Sequence, residues 1–282
     1  TGGTLQSIIT DTPSASGNPF DQDLDTKDQF GVAVSLAGGR LAVGARKDDS
    51  YGHDSPTQGH GAVYLYTFDD DPASFSGLTM RGKIGRNFDR AAYPGDMDLT
   101  LGDADNGDLV LDNDDQFGQS VSLSLSDDGS ARLAVGIKEG DGYHPGDGSG
   151  KEGEVALFTF TDGTTKDFAG GRLAAMIGES YDNSYDGSAN PRGGKDIDVT
   201  LDGNDLFGAS VSLYYDPVLN AHRLAVLAGG DDAYNKASND DGRDEDNGAV
   251  HLFAFLDGVI PPNITVCIDY DSGSLAFAQS AS

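Results

Sequence analysis

The sequence predicts an all-β chain built from three tandem units and a short tail. Asp-Gln-Phe-Gly at 28–31, Asp-Gln-Phe-Gly at 115–118 and Asp-Leu-Phe-Gly at 205–208 each introduce the same series of apolar runs. These runs are four to eight residues long and end in Gly, Asp, Asn or Ser, which is typical of strands and turns. Helices are disfavoured because each of the 40 glycines would cost roughly 1 kcal/mol inside one.

Each unit contains four runs. A short apolar run comes first, at residues 5–10, 80–85 and 173–178. The alternating run after Phe-Gly follows, at 32–36, 120–125 and 210–213. An Arg-Leu-Ala-Val run is third, at 40–44, 132–136 and 223–229, where the last copy reads Leu-Ala before its glycine. The fourth run begins with Gly and ends with Phe, at 61–68, 153–160 and 248–255.

The repeats divide the chain into units 1–77, 78–171 and 172–257, with a tail at 258–282. A four-stranded sheet buries both faces only between neighbours, so we predict three four-stranded antiparallel β-propeller-like blades in tandem plus a C-terminal strand tail. Stacked β-sheet modules or a sandwich are the alternatives. Propellers usually close with four to eight blades, so another chain, a longer chain or open stacking would complete the structure. Tail runs 264–270 and 274–279 either close the last blade or pair with a neighbouring chain.

The three runs from Phe-Gly onward carry a resemblance to a known family. Phe30-Gly31, then Arg-Leu-Ala-Val-Gly-Ala at 40–45, then Gly-Ala-Val-Tyr-Leu-Tyr at 61–66 resemble the FG-GAP repeat of integrin α-subunits and bacterial surface proteins. The resemblance spans residues 5–255 and implies four-stranded blades, an extracellular or cell-surface location, calcium in loops and a role in adhesion. The integrin-type calcium loop follows the Phe-Gly strand, where unit 1 has only Ala37, Gly38 and Gly39 and the loops of units 2 and 3 lack alternating carboxylates. That loop is therefore not transferred by position.

Charge is the second strong signal. The chain has 47 acidic and 18 basic residues, a net charge of −29, and only five of its acids are glutamate. Aspartate suits tight turns and oxygen cages for calcium. Nucleic acid and anionic membranes are poor partners for such a surface. No apolar run reaches the ~18 residues of a transmembrane segment.

Aspartates recur in register before each Phe-Gly pair. Alternating carboxylates in a loop supply the six to eight oxygens that Ca²⁺ takes, at roughly 2.3–2.6 Å. The predicted calcium ligands are Asp23, Asp25, Asp28, Asp96, Asp98, Asp103, Asp105, Asp112, Asp115, Asp196, Asp198, Asp202 and Asp205. The alternative is that these side chains form Asx-turns at strand ends.

A second acidic set follows the Leu-Ala-Val strands, in loops that vary in length and composition. Such loops either bind a ligand or second metal, or are solvated charge. The set comprises Asp48, Asp49, Asp54, Glu139, Asp141, Asp147, Asp231, Asp232, Asp240, Asp241, Asp244 and Asp246.

No catalytic residues are predicted. The histidines have no metal-ligand spacing and are interpreted as polar surface residues: His53, His60, His144, His222 and His251. No Gly-x-Ser-x-Gly elbow, Walker loop or dinucleotide glycine fingerprint occurs. A glycosidase-like carboxylate pair is an unlikely alternative.

The remaining candidates are structural. Aromatic rings that recur once per unit are expected to fill equivalent core positions, with glycine allowing close approach, at Phe30, Gly31, Phe117, Gly118, Phe207 and Gly208. Phe68, Phe160 and Phe255 recur in the same way. Cys267 is expected to be a small buried apolar residue, and Asn263 begins a glycosylation sequon.

The sequence therefore predicts a non-catalytic extracellular repeat protein for cell-surface adhesion or surface architecture, stabilised by calcium. Its partner would be a protein or glycan. The alternatives are a subunit that self-assembles into an oligomer, filament or sheath through edge and tail strands, and a polysaccharide-acting enzyme.

Overall fold

A computed structural model describes most of the three repeats. It covers residues 5–9, 24, 27–49, 59–69, 75–86, 88, 97–98, 111–142, 150–163, 165–181, 196–231, 248–256 and 265–268. All regular elements in these residues are β-strands, so the all-β prediction is confirmed. The same residues contain no helix long and apolar enough to cross a membrane.

The strands form three sheets, each in chain order across the sheet. Sheet 1 contains β1 (Phe30–Ala37), β2 (Arg40–Ala45), β3 (Ala62–Thr67), β4 (Thr79–Gly85) and β5 (Met97–Asp98). Sheet 2 contains β6 (Phe117–Leu125), β7 (Ala131–Ile137), β8 (Glu154–Thr159), β9 (Arg172–Gly178) and β10 (Ile197–Asp198). Sheet 3 contains β11 (Phe207–Asp216), β12 (Ala221–Ala228), β13 (Ala249–Leu256) and β14 (Thr265–Ile268).

The first four strands of each sheet are antiparallel, and the two-residue strands β5 and β10 pair in parallel with β4 and β9. The run at 80–85, which the sequence units assign to unit 2, pairs with β3 of sheet 1. The run at 173–178 likewise completes sheet 2. The sheets therefore start at Phe-Gly and end beyond the sequence boundaries. In sheet 3 the fourth strand is β14 from the tail, which pairs with β13.

Each Phe-Gly pair sits in a bulge with the same backbone conformation. The ladder of the first two strands skips between Phe30 and Ala33, between Phe117 and Ser120, and between Phe207 and Ser210. The residues before the three phenylalanines all have positive φ: Gln29 58°, Gln116 63° and Leu206 56°. The glycines after them have φ of 84–86°. Positive φ is rare for non-glycine residues, so its recurrence in all three copies marks the bulge as a property of the repeat motif.

Neighbouring sheets pack face to face around two shared cores. Strand β6 lies against β1 and β2, and β11 lies against β6 and β7. One core joins Ala42, Val63 and Leu65 of sheet 1 to Val121 and Leu123 of sheet 2. The other joins residues at the same repeat positions of sheets 2 and 3: Ala134, Val155, Leu157, Val211 and Leu213. We call the face that a sheet turns to the next sheet its distal face.

Glycines make this approach possible. An added Cβ on Gly44 would lie 2.0 Å from the carbonyl oxygen of Gly118, and one on Gly136 would lie 1.9 Å from that of Gly208. An added Cβ on Gly61 would lie 2.0 Å from the oxygen of Phe117. Such contacts with backbone leave no room for a side chain. The Phe-Gly bulge of each later sheet therefore lies directly on glycines of the sheet before it.

Hydrogen bonds between sheets repeat at both junctions. The Phe117 N–H donates to the His60 carbonyl at 2.9 Å, and the Phe207 N–H donates to that of Glu152 at 2.7 Å. On the free edge of the first strand, the Leu123 N–H donates to Ser35 Oγ, and the Leu213 N–H donates to Ser122 Oγ, both at 2.8 Å. Buried backbone donors on an edge strand are thus satisfied by the preceding sheet.

A buried ion pair also joins sheets 1 and 2. Arg40, which is 1% exposed, donates through Nε and Nη2 to Asp162 Oδ2 at 3.0 and 2.8 Å. Its Nη2 also donates to the carbonyls of Gly129 and Gly163, and its guanidinium lies over the Phe168 ring. Arg223 occupies the same repeat position in sheet 3, where it is more than half exposed and pairs with Asp216 of its own sheet at 3.2 Å.

We expect Gly136→Ala to destabilise the chain by about 1–3 kcal/mol or more, because the new Cβ collides with the Gly208 carbonyl. Gly229→Ala is the matched control, since nothing lies within 4 Å of its added Cβ. Urea denaturation measures both. Equal losses in the two variants would contradict the close-approach account.

We expect Arg40→Ala to cost about 3–5 kcal/mol, because it leaves the buried Asp162 carboxylate without its cation. Arg223→Ala removes the same repeat position from an exposed pair and should cost no more than about 1 kcal/mol. Chemical denaturation of the two variants side by side tests this; a similar cost for both would show that the buried pair is not a stabilising link between sheets.

Candidate functional site

The strand registers bring the two acidic sets to one edge of the sheets. In sheet 1, Phe30 lies opposite Ala45, Ala45 opposite Ala62, and Ala62 opposite Gly85. In sheet 2 the same positions are Phe117, Ile137, Glu154 and Gly178. The residues that precede each Phe-Gly and those that follow each Leu-Ala-Val strand therefore lie side by side. These residues lie at one end of the strands, and we call this end of the sheets the acidic edge. The short hairpin turns at 38–39, 126–130 and 217–220 lie at the other end of the strands, which we call the opposite edge.

At the acidic edge, the aspartates before Phe-Gly close tight turns. The Asp112 N–H donates to Asp115 Oδ2 at 2.5 Å, and the Asp202 N–H donates to Asp205 Oδ2 at 2.7 Å. In return the Asp115 and Asp205 N–H groups donate to the carbonyls of Asp112 and Asp202. These are the side-chain turns expected of aspartate. Asp28, Asp115 and Asp205 are all buried.

A second acid lies close by in each sheet, buried or half-buried and bonded to a ring from a neighbouring segment. Asp48 Oδ2 accepts from the Tyr64 hydroxyl at 2.6 Å. In sheet 3, Asp231 Oδ2 and His251 Nε2 are 3.0 Å apart at the same repeat positions. The carboxylate of Asp48 and the burial of the ring raise the pKa of Tyr64 well above its usual value, burial being the larger cause.

Sheet 2 supplies its second acid from a different strand. Gly140 replaces the aspartate, and Ala156 replaces the ring. Glu154 fills the space, because an added Cβ on Gly140 would lie 2.6 Å from Glu154 Oε1. The Tyr181 hydroxyl donates to the Glu154 carboxylate. Sequence reasoning missed these pairs because the two partners are far apart along the chain. The available signal was that unit 2 lacks both the aspartate and the aromatic ring, which indicates that the two residues act as a pair.

Burial and charge act on Asp115 together. Removal from water, with the neighbouring Glu154 carboxylate as the second cause, raises the pKa of Asp115 to about 9. Two neighbouring buried carboxylates repel each other when both are charged. At neutral pH, Asp115 is therefore protonated in the folded chain.

The other described acids also have local partners. Asp49 Oδ1 accepts from the Gly59 N–H at 2.8 Å, and Glu139 Oε2 pairs with Lys151 at 2.5 Å. Asp196 accepts from the Met176 N–H and Asp198 from the Tyr181 N–H, at 2.7 and 3.0 Å. The last two bonds hold the segment around β10 against β9. Asp141 lies half-buried at the same edge.

Within the described ranges, no group of three or more His, Cys, Asp or Glu side chains is placed to hold a metal ion. The described acids do not fit a calcium cage, since they serve turns, rings and backbone donors. Several predicted residues lie outside the described residues: Asp23, Asp25, Asp54, Asp96, Asp103, Asp105, Asp147, Asp232, Asp240, Asp241, Asp244, Asp246 and Asn263. The side chains of Asp98 and Cys267 are not described either.

The interpretation of the histidines as surface residues is wrong for three of them. His60, His222 and His251 are buried. His60 Nε2 lies 2.8 Å from Arg86 Nη1, and burial, with Arg86 as the second cause, lowers the pKa of His60. His222 packs on the Tyr215 ring, and His251 on that of Phe207. His222 and His251 lie on strands, where the alternation of side chains places them on packed faces of the sheet. His53 and His144 lie outside the described residues.

The recurring aromatic positions are mostly core. Phe117 and Phe207 are fully buried, with edge-to-face contacts to Phe158 and Phe253. Phe30 is only half-buried and packs on Tyr64. Among the later set, Phe160 and Phe255 are buried and Phe68 is half-buried. The first sheet is thus less covered than the others on the side away from sheet 2.

We expect stability to fall as pH rises from about 4 to about 9, because the folded chain retains the Asp115 proton that the unfolded chain loses. Asp115→Asn keeps an oxygen for the Asp112 N–H, carries no charge, and should flatten this slope. Asp127→Asn, in an exposed turn, is the control. Urea titrations at several pH values in chelator measure the slopes; an unchanged slope in Asp115→Asn would assign it to other groups.

Comparison with known proteins agrees with this geometry. The model of the FG-GAP repeat matches residues 20–66, a span that contains β1 and β2 and nearly all of β3. No protein of curated function shows significant sequence similarity to the chain. Sheets 2 and 3 repeat the bulge, the glycine contacts and the registers of the matched segment. The predicted resemblance is confirmed for this segment: residues 20–66 match the FG-GAP repeat.

Proposed function

We propose that the chain is a non-catalytic extracellular repeat module for cell-surface adhesion or surface architecture, whose acidic edge contacts the partner. The observation that carries the proposal is that the described members of both acidic sets lie at that edge. Variable loops on a rigid scaffold are where binding residues concentrate. The FG-GAP repeat, a type typical of extracellular proteins, supports the location.

The contacts of the buried carboxylates favour binding over catalysis. The buried carboxylates in the described ranges have structural partners: Asp48 with Tyr64, Glu154 with Tyr181, and Asp162 with Arg40. A hydrolase would need an acid and a base aimed at a cleft with tuned pKa values. Residues 240–246 contain four aspartates and one glutamate, which adds to the acidic sequence of the segment that joins β12 to β13 at this edge.

A net charge of −29 favours partners with a positively charged surface. Cationic protein surfaces are attracted directly, whereas an acidic glycan would need a bridging divalent cation. Calcium stays a prediction for the loops that contain Asp23, Asp25, Asp96, Asp103 and Asp105. Calcium there would also reduce repulsion between the acidic loops of adjacent units.

Self-assembly into an oligomer or filament is the second candidate. It is favoured by apolar side chains exposed on the first and last sheets, among them Val34, Leu36 and Val250. Size-exclusion chromatography with and without chelator separates the two candidates, since an assembly subunit would elute as a concentration-dependent large species.

We expect the purified chain to bind a member of a panel of immobilised wall polysaccharides and polylysine, with calcium present. Neutralising loop 240–246 (Asp240→Asn, Asp241→Asn, Asp244→Asn, Glu245→Gln and Asp246→Asn) should weaken binding at least about tenfold at unchanged melting temperature, because each charge contributes favourably to a cationic contact. Biolayer interferometry measures both proteins, and repetition in chelator reports the calcium contribution.

The control is the double change Asp127→Asn and Asp128→Asn in the turn between β6 and β7, at the opposite edge. Equal weakening in the control would contradict a role of the acidic edge. Release of reducing sugar from any polysaccharide of the panel would contradict the non-catalytic assignment.

A further inference from the structure

The two junctions between sheets use one set of repeat positions. On the distal face of sheet 1 these are Ala42, Gly44, Val63 and Leu65, and sheet 2 presents Ala134, Gly136, Val155 and Leu157. Val63 and Val155 are fully buried beneath the next sheet. Gly44 and Gly136 are the positions where the following Phe-Gly bulge approaches closest.

Sheet 3 departs from this set at one position. Its distal face carries Ala225, Leu227, Val250 and Leu252, so that leucine stands where sheets 1 and 2 have glycine. Register proves the equivalence, since Leu227 lies opposite Ser210 and Val250, as Gly136 lies opposite Ser120 and Val155. Leu227 and Val250 are 37% and 42% exposed.

The leucine is incompatible with the junction geometry. At Gly44 and Gly136, a single added carbon already lies 2.0 and 1.9 Å from a backbone carbonyl oxygen of the next sheet. Backbone in a bulge held by a ladder cannot move aside as a flexible side chain does, and a leucine adds three further carbons. The Phe-Gly bulge of another unit therefore has no place on sheet 3.

On the face of sheet 1 that points away from sheet 2, Ile9 and Leu24 pack against the cluster of Val43, Tyr64 and Tyr66, whereas the β1 positions on that face are exposed. Val34 and Leu36 of β1 are 65% and 55% exposed, whereas Val121 and Leu123, the same positions in β6, are 7% and 6% exposed beneath sheet 1. Continuity with the two internal junctions identifies what fits on β1: the distal face of a sheet with glycine at the position of Leu227. A second copy of this chain would offer sheet 3 as its free distal face.

We propose that Leu227 terminates the array: it keeps sheet 3 from receiving the β1 face of a second copy, and so prevents head-to-tail polymerisation. The remaining positions of sheet 3 retain the junction chemistry, since Ala225, Val250 and Leu252 match their counterparts in sheets 1 and 2. Head-to-tail contacts that do not close into a ring produce open-ended fibres. In this chain, one side chain would prevent such a fibre.

The test is sedimentation velocity over a hundredfold range of concentration, in salt high enough to screen the net negative charge. Wild type and Leu227→Ala should sediment alike and independently of concentration, because alanine retains the excluded Cβ. Leu227→Gly should associate into larger species. Adding Val34→Asp to Leu227→Gly should restore the wild-type coefficient, because it places a charge on the exposed β1 face.

Leu219→Gly, an exposed leucine in the turn before β12, is the matched control and should sediment like wild type. The proposal is overturned if Leu227→Gly folds and does not associate, if Leu227→Ala associates equally, or if Val34→Asp does not reverse the association. It is also overturned if wild type associates and Val34→Asp abolishes that association.

A reciprocal variant keeps the proposal testable if Leu227→Gly does not fold. Gly136→Leu places leucine at the same position inside the chain and should open the junction between sheets 2 and 3. Hydrogen exchange of the Leu213 N–H, which donates to Ser122 Oγ across that junction, should accelerate at least about tenfold relative to Gly229→Leu. Unchanged protection would show that leucine does not exclude the next sheet.

Discussion

The structure depends on the contact between the Phe-Gly bulge of one sheet and the glycines of the sheet before it. The backbones of neighbouring sheets are in direct contact, with no side chain between them, at Gly44 and Gly118 and at Gly136 and Gly208. That distance sets the spacing of the sheets, and so decides which side chains share the two cores. The positive φ of Gln29, Gln116 and Leu206 is local strain that all three copies of the motif share. The repeat motif thus encodes a junction between units as well as a strand.

Part of the acidic content of the chain is buried inside the scaffold. Each sheet buries one aspartate before Phe-Gly, and a second carboxylate near it, from Asp48, Glu154 or Asp231, is buried in the first two sheets and half-buried in the third. Hydrogen bonds to ring groups and backbone N–H groups offset part of the cost of burying these acids, and the raised pKa of Asp115 shows the part that remains. Much of the remaining charge lies in loops that begin and end at the same edge, which links the scaffold to its proposed binding surface.

Sequence patterns predicted the strand positions well because strand and turn preferences are local. The Phe-Gly, Leu-Ala-Val and Gly-x-Val runs all became strands near the expected bounds. The run at 80–85 joined the preceding sheet, since pairing with β3 is decided by register across a loop and by no property of the run itself. The buried histidines were missed for the same reason: exposure depends on what covers a face.

By itself, the sequence determined the all-β class, the repeat and its spacing, and the acidic character, because each follows from local propensity and composition. Only the tertiary structure decided what the glycines and carboxylates do. Gly44 and Leu227 differ in meaning because another sheet lies against Gly44, whereas no described sheet lies against the face that carries Leu227. Glu154 replaces Asp48 because Gly140 leaves space, a relation between three strands that distance along the chain does not express.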